Sequence, residues 1–368
     1  MSPPNAHITG WGMAVPEKVL TNDDLAKIVE TNDEWIVSRT GIRERRIASA
    51  DQTTASLAVE ASLRALEVAS VHPGDLDMII LATSSPEFIF PATANLVQDR
   101  IGAVKAGAFD LLAACTGFIY AMNLARQAIE SNNAKNVLII GSETLSRLVN
   151  WKDRNTCILF GDGAGAFVIQ ASDEPGGILS AVLRSDGSGG DLLSLPGGGS
   201  ANPASMQTLY DGLHYIHMNG KEVFRFATRV MAEATQQTLE SVNMDMDDIQ
   251  LLIPHQANQR IIKAAARGLN YPMDKVMVNL DRYGNTSTAS IPIATVEAFE
   301  QGRLKPGDNT VMVAFGAGLT WGAALIQWSG PLPSQRKVSP RRVRLFARSR
   351  SIFARIRRRI EGILWRNE

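Results

Sequence analysis

The chain repeats itself, and the repeat limits the folds open to it. Asp75-Leu-Asp-Met-Ile-Ile and Asp248-Ile-Gln-Leu-Leu-Ile are similar acidic-then-apolar strings 173 residues apart. Asn136-Val-Leu-Ile-Ile and Asn309-Thr-Val-Met-Val stand at the same spacing. Lys105-Ala-Gly-Ala-Phe-Asp and Lys275-Val-Met-Val-Asn-Leu are 170 apart, and Gly165-Ala-Phe-Val-Ile-Gln and Gly322-Ala-Ala-Leu-Ile-Gln 157 apart. Buried strands look alike, so one match means little. Four in the same order at nearly constant spacing predict two homologous halves that bury equivalent faces.

Each half alternates strands with helical patterns. Helical spacing runs over 56–68, 117–129, 223–239 and 259–269. Strands are expected near 77–83, 106–110, 136–141 and 165–170, then near 250–254, 276–280 and 310–315. Such alternation predicts an α/β fold with covered sheets. The expected organisation is an N-terminal half over 1–175, a C-terminal half over 176–330 and a tail over 331–368. From Asn309 to Gln335 there is no charge, and basic residues follow, which has the outline of a spanning helix with a positive flank. Gly316, Gly318, Thr320, Gly322 and Gln327 interrupt the run, so two strands near 310–315 and 321–328 joined by a Gly-rich turn are expected instead.

Charge locates the tail. Lys and Arg total 37, as do Asp and Glu, yet twelve of the basic residues and only Glu361 and Glu368 among the acids lie beyond Gly330. The body is therefore acidic, which excludes nucleic acid as its partner. Two cysteines, Cys115 and Cys157, exclude a disulfide scaffold, and five scattered histidines without Cys-x-x-Cys predict no metal site. The start, MSPPNAHITGWG, has neither a basic n-region nor an apolar h-region, so a cytoplasmic protein is expected.

Three segments carry chemistry. Phe109-Asp-Leu-Leu-Ala-Ala-Cys115-Thr-Gly-Phe runs from a strand end into a helix. Free N–H groups and the positive dipole end there are expected to lower the Cys115 thiol pKa; an inert buried cysteine is the alternative. Cys157 is read as buried and inert. Leu251-Leu-Ile-Pro-His255-Gln-Ala-Asn258 places His255 at the C-terminal end of a strand, where open α/β sheets hold ligands. His7, His72, His214 and His217 are read as structural. Asn285, in Asn279-Leu-Asp-Arg-Tyr-Gly-Asn285-Thr-Ser-Thr-Ala-Ser, follows Cys115 by 170 residues, so the duplication predicts that the two face each other across a pseudo-twofold axis. Cys, His and Asn together suit covalent acyl transfer. A papain-like protease orders the same residues, but that family's local cysteine signature is missing.

The motifs then resemble the β-ketoacyl-acyl-carrier-protein synthase III family of the thiolase superfamily, over residues 5–329. The resemblance rests on Asp33-Glu-Trp35-Ile-Val-Ser-Arg39-Thr-Gly-Ile-Arg-Glu-Arg, Ala113-Ala-Cys115-Thr-Gly-Phe, Phe160-Gly-Asp-Gly-Ala-Gly-Ala, His255-Gln-Ala-Asn, Gly284-Asn285-Thr-Ser and Phe315-Gly-Ala-Gly-Leu-Thr-Trp-Gly. It implies a duplicated thiolase-like fold, layered α-β-α-β-α. It implies a decarboxylating condensation of an acyl-CoA primer with malonyl-loaded acyl carrier protein (ACP), which initiates fatty acid synthesis. Plain acyl transfer to an amine or alcohol is the alternative reaction.

In that resemblance Cys115 takes the acyl group, and the N–H groups of Cys115 and Ala317 form the oxyanion hole. His255 and Asn285 hold the malonyl thioester carbonyl as CO2 leaves. Trp35 and Arg154 sandwich the CoA adenine, Arg39 meets its phosphates, and Phe224 and Asn258 complete the CoA contacts. Gln256, Ala257, Asn258, Gln259 and Arg260 form the carrier-docking segment. Phe90 lines the partner subunit's acyl pocket in a homodimer, and Phe315 also belongs to an acyl pocket. No resident cofactor or metal is implied; CoA arrives as substrate. The glycines after Phe160 are read as close-packing positions, because no Lys-Ser/Thr follows to make a phosphate loop.

The family ordinarily ends near Trp328, so the tail departs from it. Phe353, Ile356, Ile360, Ile363 and Leu364 recur at helical spacing among arginines, with Trp365 placed for a headgroup boundary. Three readings stay open: a helix on an anionic membrane surface, a carrier-docking arm, and a solvated tail without a role.

Overall fold

The computed structural model describes residues 3–331 and 338–364, with side chains described as far as residue 361. The expectations for Ile363, Leu364 and Trp365, and for most of the linker, fall outside those side chains.

Two sheets carry the duplication. The first has the order β1 (Asn5–Ala14), β5 (Asp162–Ser172), β4 (Asn136–Thr144), β2 (Met78–Ala82) and β3 (Gly107–Leu111). The three last-named strands are parallel, and β5 is antiparallel to both β4 and β1. The second has the order β7 (Leu251–Pro254), β8 (Asn309–Gly316), β9 (Thr320–Gln327) and β6 (Gly177–Ser185). Its β7–β8 pair is parallel and its other pairs antiparallel, so β6, β9, β8 and β7 repeat β1, β5, β4 and β2 in place and direction. Residues Asn309–Gln327 of the charge-free run are therefore a hairpin, and among the described residues no helix is long and apolar enough to cross a membrane.

One predicted strand is missing. Residues 276–280 touch β7 only through a single Leu252–Val276 bridge and then turn into the short helix Leu280–Tyr283. The reason is a side chain. Gln256 donates to the carbonyls of Pro254 and Met277, at 2.7 and 3.0 Å, and accepts from the Asn279 N–H at 2.9 Å. It satisfies backbone groups that a strand ladder would otherwise have to pair.

Helices fill and cover the sheets: α1 (Asp33–Thr40), α2 (Thr54–Ala69), α3 (Thr93–Ile101), α4 (Gly117–Glu130), α5 (Gly220–Glu240), α6 (Gln259–Gly268), α7 (Ser290–Glu300) and α8 (Pro340–Leu364). The central layer is α4 and α7. Phe118, Ile119 and Met122 of the one and Ile291 and Ala294 of the other join the inner faces of both sheets in one core. Each large side chain buried there contributes about 1.5–3 kcal/mol. Helices α2 and α3 cover the outer face of the first sheet, and α5 and α6 that of the second. The order is α-β-α-β-α, as expected. The glycines after Phe160 do pack closely: a Cβ on Gly165 would stand 2.6 Å from the Pro292 side chain.

Candidate active site

Cys115 lies in a 3₁₀ turn, Ala114–Thr116, that leads from β3 into α4. It lines a cavity of about 680 Å³ together with Ser84, Leu148, Phe160, Ser287, Ala317 and others. The mirror element in the second half is the turn Ser287–Ala289, which leads into α7. These two elbows correct the pairing expected from the 170-residue spacing. Ala114 and Ser287 match, so Cys115 corresponds to Thr288, and Asn285 lies in the loop before the elbow. The second half carries extra residues between its Val276 bridge and the elbow, taken up by the Leu280–Tyr283 turn, and this shifts the spacing.

Asn285 nevertheless reaches Cys115, through Ser287. The Asn285 Oδ1 accepts the Ser287 N–H at 2.8 Å, which leaves its Nδ2 as a donor. The Ser287 hydroxyl is within reach of the Cys115 thiol and of the Glu143 carboxyl. The Asn285 backbone is pinned by Leu159 and Gly161 at 2.8 and 3.0 Å. Its loop is braced from behind by Glu297, which accepts from Asn279, Arg282 and Tyr283 at 2.7–2.9 Å.

His255 follows β7 and is buried. Its Nδ1 lies 2.6 Å from the Ser290 Oγ, which also receives the Gln256 N–H at 3.4 Å. A hydroxyl carries one proton and two lone pairs, so either group can donate in this contact; in the tautomer where Ser290 donates to Nδ1, the ring's own proton sits on Nε2. That Nε2 has no partner among the described residues. In that tautomer it is a buried donor. Burial pulls the His255 pKa down to about 3, so the ring stays neutral.

The Cys115 thiol departs from expectation. It sits at the helix start as predicted, but burial pushes its pKa up to about 12; Ser287 pulls it down, and Glu143 pushes it further up. Desolvation outweighs the helix terminus. Glu143 is itself buried, and burial raises its pKa against hydrogen bonds from Ser84, Ser85 and Thr288. Cys157 is buried, with its thiol raised to about 11 chiefly by burial. His7 is held by Ser329 and the Glu174 carbonyl at 2.7 and 2.9 Å.

The cavity wall opposite Cys115 is the turn after β8. A Cβ on Gly316 would stand 2.8 Å from the Cys115 amide nitrogen, so only glycine lets the two backbones meet. Ala317 follows and lines the cavity. Thr320 Oγ1 lies 3.0–3.1 Å from the Ala113 carbonyl, the Thr116 hydroxyl and the Ala317 carbonyl, which ties the Cys115 elbow to the Ala317 turn. Phe315 is not on the cavity wall. It is buried, with its ring 5.5 Å from that of His255, because alternation along β8 points it away.

The remaining residues lie near the surface. Arg39 and Arg154 place their guanidinium carbons 4.6 and 5.1 Å from the Trp35 ring centroid, and Arg260 does the same to Phe224 at 5.3 Å. Asn258 caps α6 through the Arg260 N–H and donates to the Arg39 carbonyl, so both ends of its amide are engaged. Gln256 and Ala257 are buried, which removes them from any docking surface; Gln259 and Arg260 stay accessible. Phe90 is 83% exposed. Sequence reasoning missed Ser287, Ser290, Thr320, Glu143 and Glu297. Ser287 and Ser290 stand in the polar string after Asn285, where they read as turn and cap residues.

The family described as 3-Oxoacyl-[acyl-carrier-protein (ACP)] synthase III matches residues 109–187, and its C-terminal counterpart matches 239–328. A beta-ketoacyl-[acyl-carrier-protein] synthase III of Roseiflexus sp. (strain RS-1) is 53% identical over 324 residues, covering 88% of this chain and 98% of that protein. The namesake from Caldanaerobacter subterraneus subsp. tengcongensis is 55% identical over 324 residues, with the same coverage of 88% and 98%. The crystal structure of 3-oxoacyl-[acyl-carrier-protein] synthase III from Aquifex aeolicus VF5 superposes with a TM-score of 0.82 at 48% identity, covering 88% of this chain and all of that one.

Proposed function

The chain belongs to the β-ketoacyl-acyl-carrier-protein synthase III family, and from that premise we propose how its residues perform the condensation that initiates fatty acid synthesis. The enzyme is an acyltransferase of the condensing type. The observation that carries the residue roles is the cavity where Cys115, Ser287 and Ala317 meet, with a neutral His255 donor and the Asn285 amide behind it.

The reaction runs in two steps. The Cys115 sulfur attacks the thioester carbon of an acyl-CoA. Its proton leaves with the CoA thiolate, and the oxyanion that forms is held by the N–H groups of Cys115 and Ala317. Malonyl-ACP then enters. His255 Nε2 and Asn285 Nδ2 donate to its thioester oxygen, and CO2 departs as the enolate forms. The enolate carbon attacks the acyl-Cys115 carbonyl. The C–S bond breaks, giving 3-oxoacyl-ACP and a thiolate that takes up one proton. Neutral donors suit this step because they stabilise the negative oxygen without having to lose a charge.

Trp35, Arg39 and Arg154 form the CoA entrance, with adenine inserting between Trp35 and the Arg154 guanidinium that lies over it. Arg260 and Gln259 meet the acidic carrier, where charge mainly speeds encounter. The free edge of β3 and the exposed Phe88, Ile89, Phe90 and Leu112 support a homodimer in which Phe90 reaches the partner's acyl pocket. Residues 1–175 and 176–330 then act as two halves of one unit. Mass spectrometry after incubation with acyl-CoA, followed by CO2 and 3-oxoacyl-ACP measurement on adding malonyl-ACP, tests the whole scheme. An adduct on Cys157, or acylation without CO2 release, would count against it.

A further inference from the structure

Helix α8 has two faces. The inner one docks on the outer layer of the first half. Val343, Ala347 and Ser351 are buried there, and Val338 and Val343 join the core beneath α2. Ser351 donates to Asp99 at 2.7 Å, Arg355 lies 3.7 Å from the same carboxylate, and Arg344 pairs with Glu60. The basic tail therefore spends part of its charge on its own acidic body, and it has a defined seat.

The outer face has no such seat. Leu345, Phe346, Ile352, Phe353, Ile356 and Ile360 are 49–73% exposed. At 3.6 residues per turn they share an arc of about 120° opposite Ala347, roughly 22 Å long. Arg348, Arg355 and Arg359 border that arc on one side and Arg350 and Arg357 on the other. Apolar stripes with cationic borders lie in the boundary between lipid headgroups and acyl chains, where long basic side chains reach outward to phosphates.

We propose that this face of α8 binds the surface of an anionic lipid bilayer, holding the enzyme at the membrane. Charge complementarity selects that occupant. A second copy of the helix would bring arginines against arginines, with Glu361 the one acid on α8 to offset them. An acidic carrier protein would match the arginines, but it works at the catalytic cavity. The groove beside α8, lined by Glu60, Asp99, Arg344 and Arg348 among others, shares no residue with that cavity.

The test is sedimentation of the full chain with vesicles of phosphatidylcholine alone or with about 30 mol% phosphatidylglycerol, at low and high salt. Binding to the anionic vesicles should exceed binding to neutral ones by about tenfold and fall steeply with salt. The double variant Phe353→Ser/Ile356→Ser keeps every charge and changes only exposed positions. It should lose most binding yet condense soluble substrates at the parental rate. Full chain that ignores anionic vesicles overturns the proposal. So does a variant whose main change is loss of self-association, or a raised KM for the carrier alone. Condensation is assayed separately, so failure here leaves the catalytic assignment standing.

Discussion

Ala114 and Ser287, 173 residues apart, hold the same left-handed backbone, with φ of 46° and 47°. Each opens the turn that leads into a central helix, so the two elbows are copies of one device. Non-glycine residues rarely adopt this conformation, which costs about 1–3 kcal/mol and persists only where surroundings enforce it. Here it lets each half deliver a different group to one point. The first elbow delivers the Cys115 sulfur. The second delivers Ser287, which lines the same cavity and pulls the thiol pKa down against burial. A duplicated fold thus becomes an asymmetric site.

The first prediction concerns the thiol. With its pKa pushed up to about 12, the Cys115 thiol is protonated at neutral pH. Its alkylation by iodoacetamide should keep rising with pH through the range where the fold holds, roughly tenfold per pH unit, as the thiolate fraction does. Peptide mass spectrometry reads the rate at Cys115 itself. A plateau near pH 7 would show that the helix start prevails over burial, as the sequence alone suggested.

That disagreement marks where sequence reading stops. The repeat made the two sheets legible, because β2 with β7 and β4 with β8 keep a constant spacing. It left β1 and β6 unseen, since their strings do not resemble each other. It misplaced the 276–280 strand because nothing in a sequence reveals that Gln256 turns inward to satisfy backbone. The reactive residues were legible as types at strand ends. Their partners were not: Ser290, Thr320 and Glu143 are ordinary polar residues until folding brings chain positions 35 to over 200 residues apart into contact.

The second prediction separates the half-reactions. On the proposed roles, His255→Ala and Asn285→Ala each remove a donor to the malonyl oxygen, so decarboxylation should fall by about 10²–10³. Acylation of Cys115 should persist. Ser290→Ala removes the group that fixes the His255 tautomer and should slow decarboxylation about tenfold, near the worth of one hydrogen bond, with partial rescue by Ser290→Thr. Equal loss of both half-reactions in Ser290→Ala would point to a structural role instead.

The third prediction follows from the burial of His255. Its pKa falls from 6.5 to about 3 in the fold, so the unfolded chain binds a proton that the native site refuses. Stability should therefore drop as pH falls through that window, by up to about 1.4 kcal/mol per pH unit from this group. His255→Asn should flatten the slope of denaturation midpoint against pH between those values. An unchanged slope would mean that other groups dominate the acid limb.

The fourth prediction tests the oxyanion hole through Thr320. Its hydroxyl touches the Ala113 carbonyl, the Thr116 hydroxyl and the Ala317 carbonyl, and so sets the distance between the two N–H groups assigned to the tetrahedral oxygen. Thr320→Val keeps the shape and removes the polar contacts. Losing them leaves buried oxygens underserved, which costs about 1–3 kcal/mol of stability, and lets the Ala317 turn drift from the Cys115 elbow. Because the hole acts on the tetrahedral oxygen of acylation, kcat for acyl-CoA hydrolysis and the single-turnover acylation rate should fall about tenfold or more, while KM for acyl-CoA stays near its parental value. On the roles proposed for His255 and Asn285, malonyl decarboxylation should be spared. Thr320→Ser, which restores the hydroxyl, should recover most of the acylation rate; recovery by Ser of stability alone, with acylation still slow, would place Thr320 in packing and not in the hole.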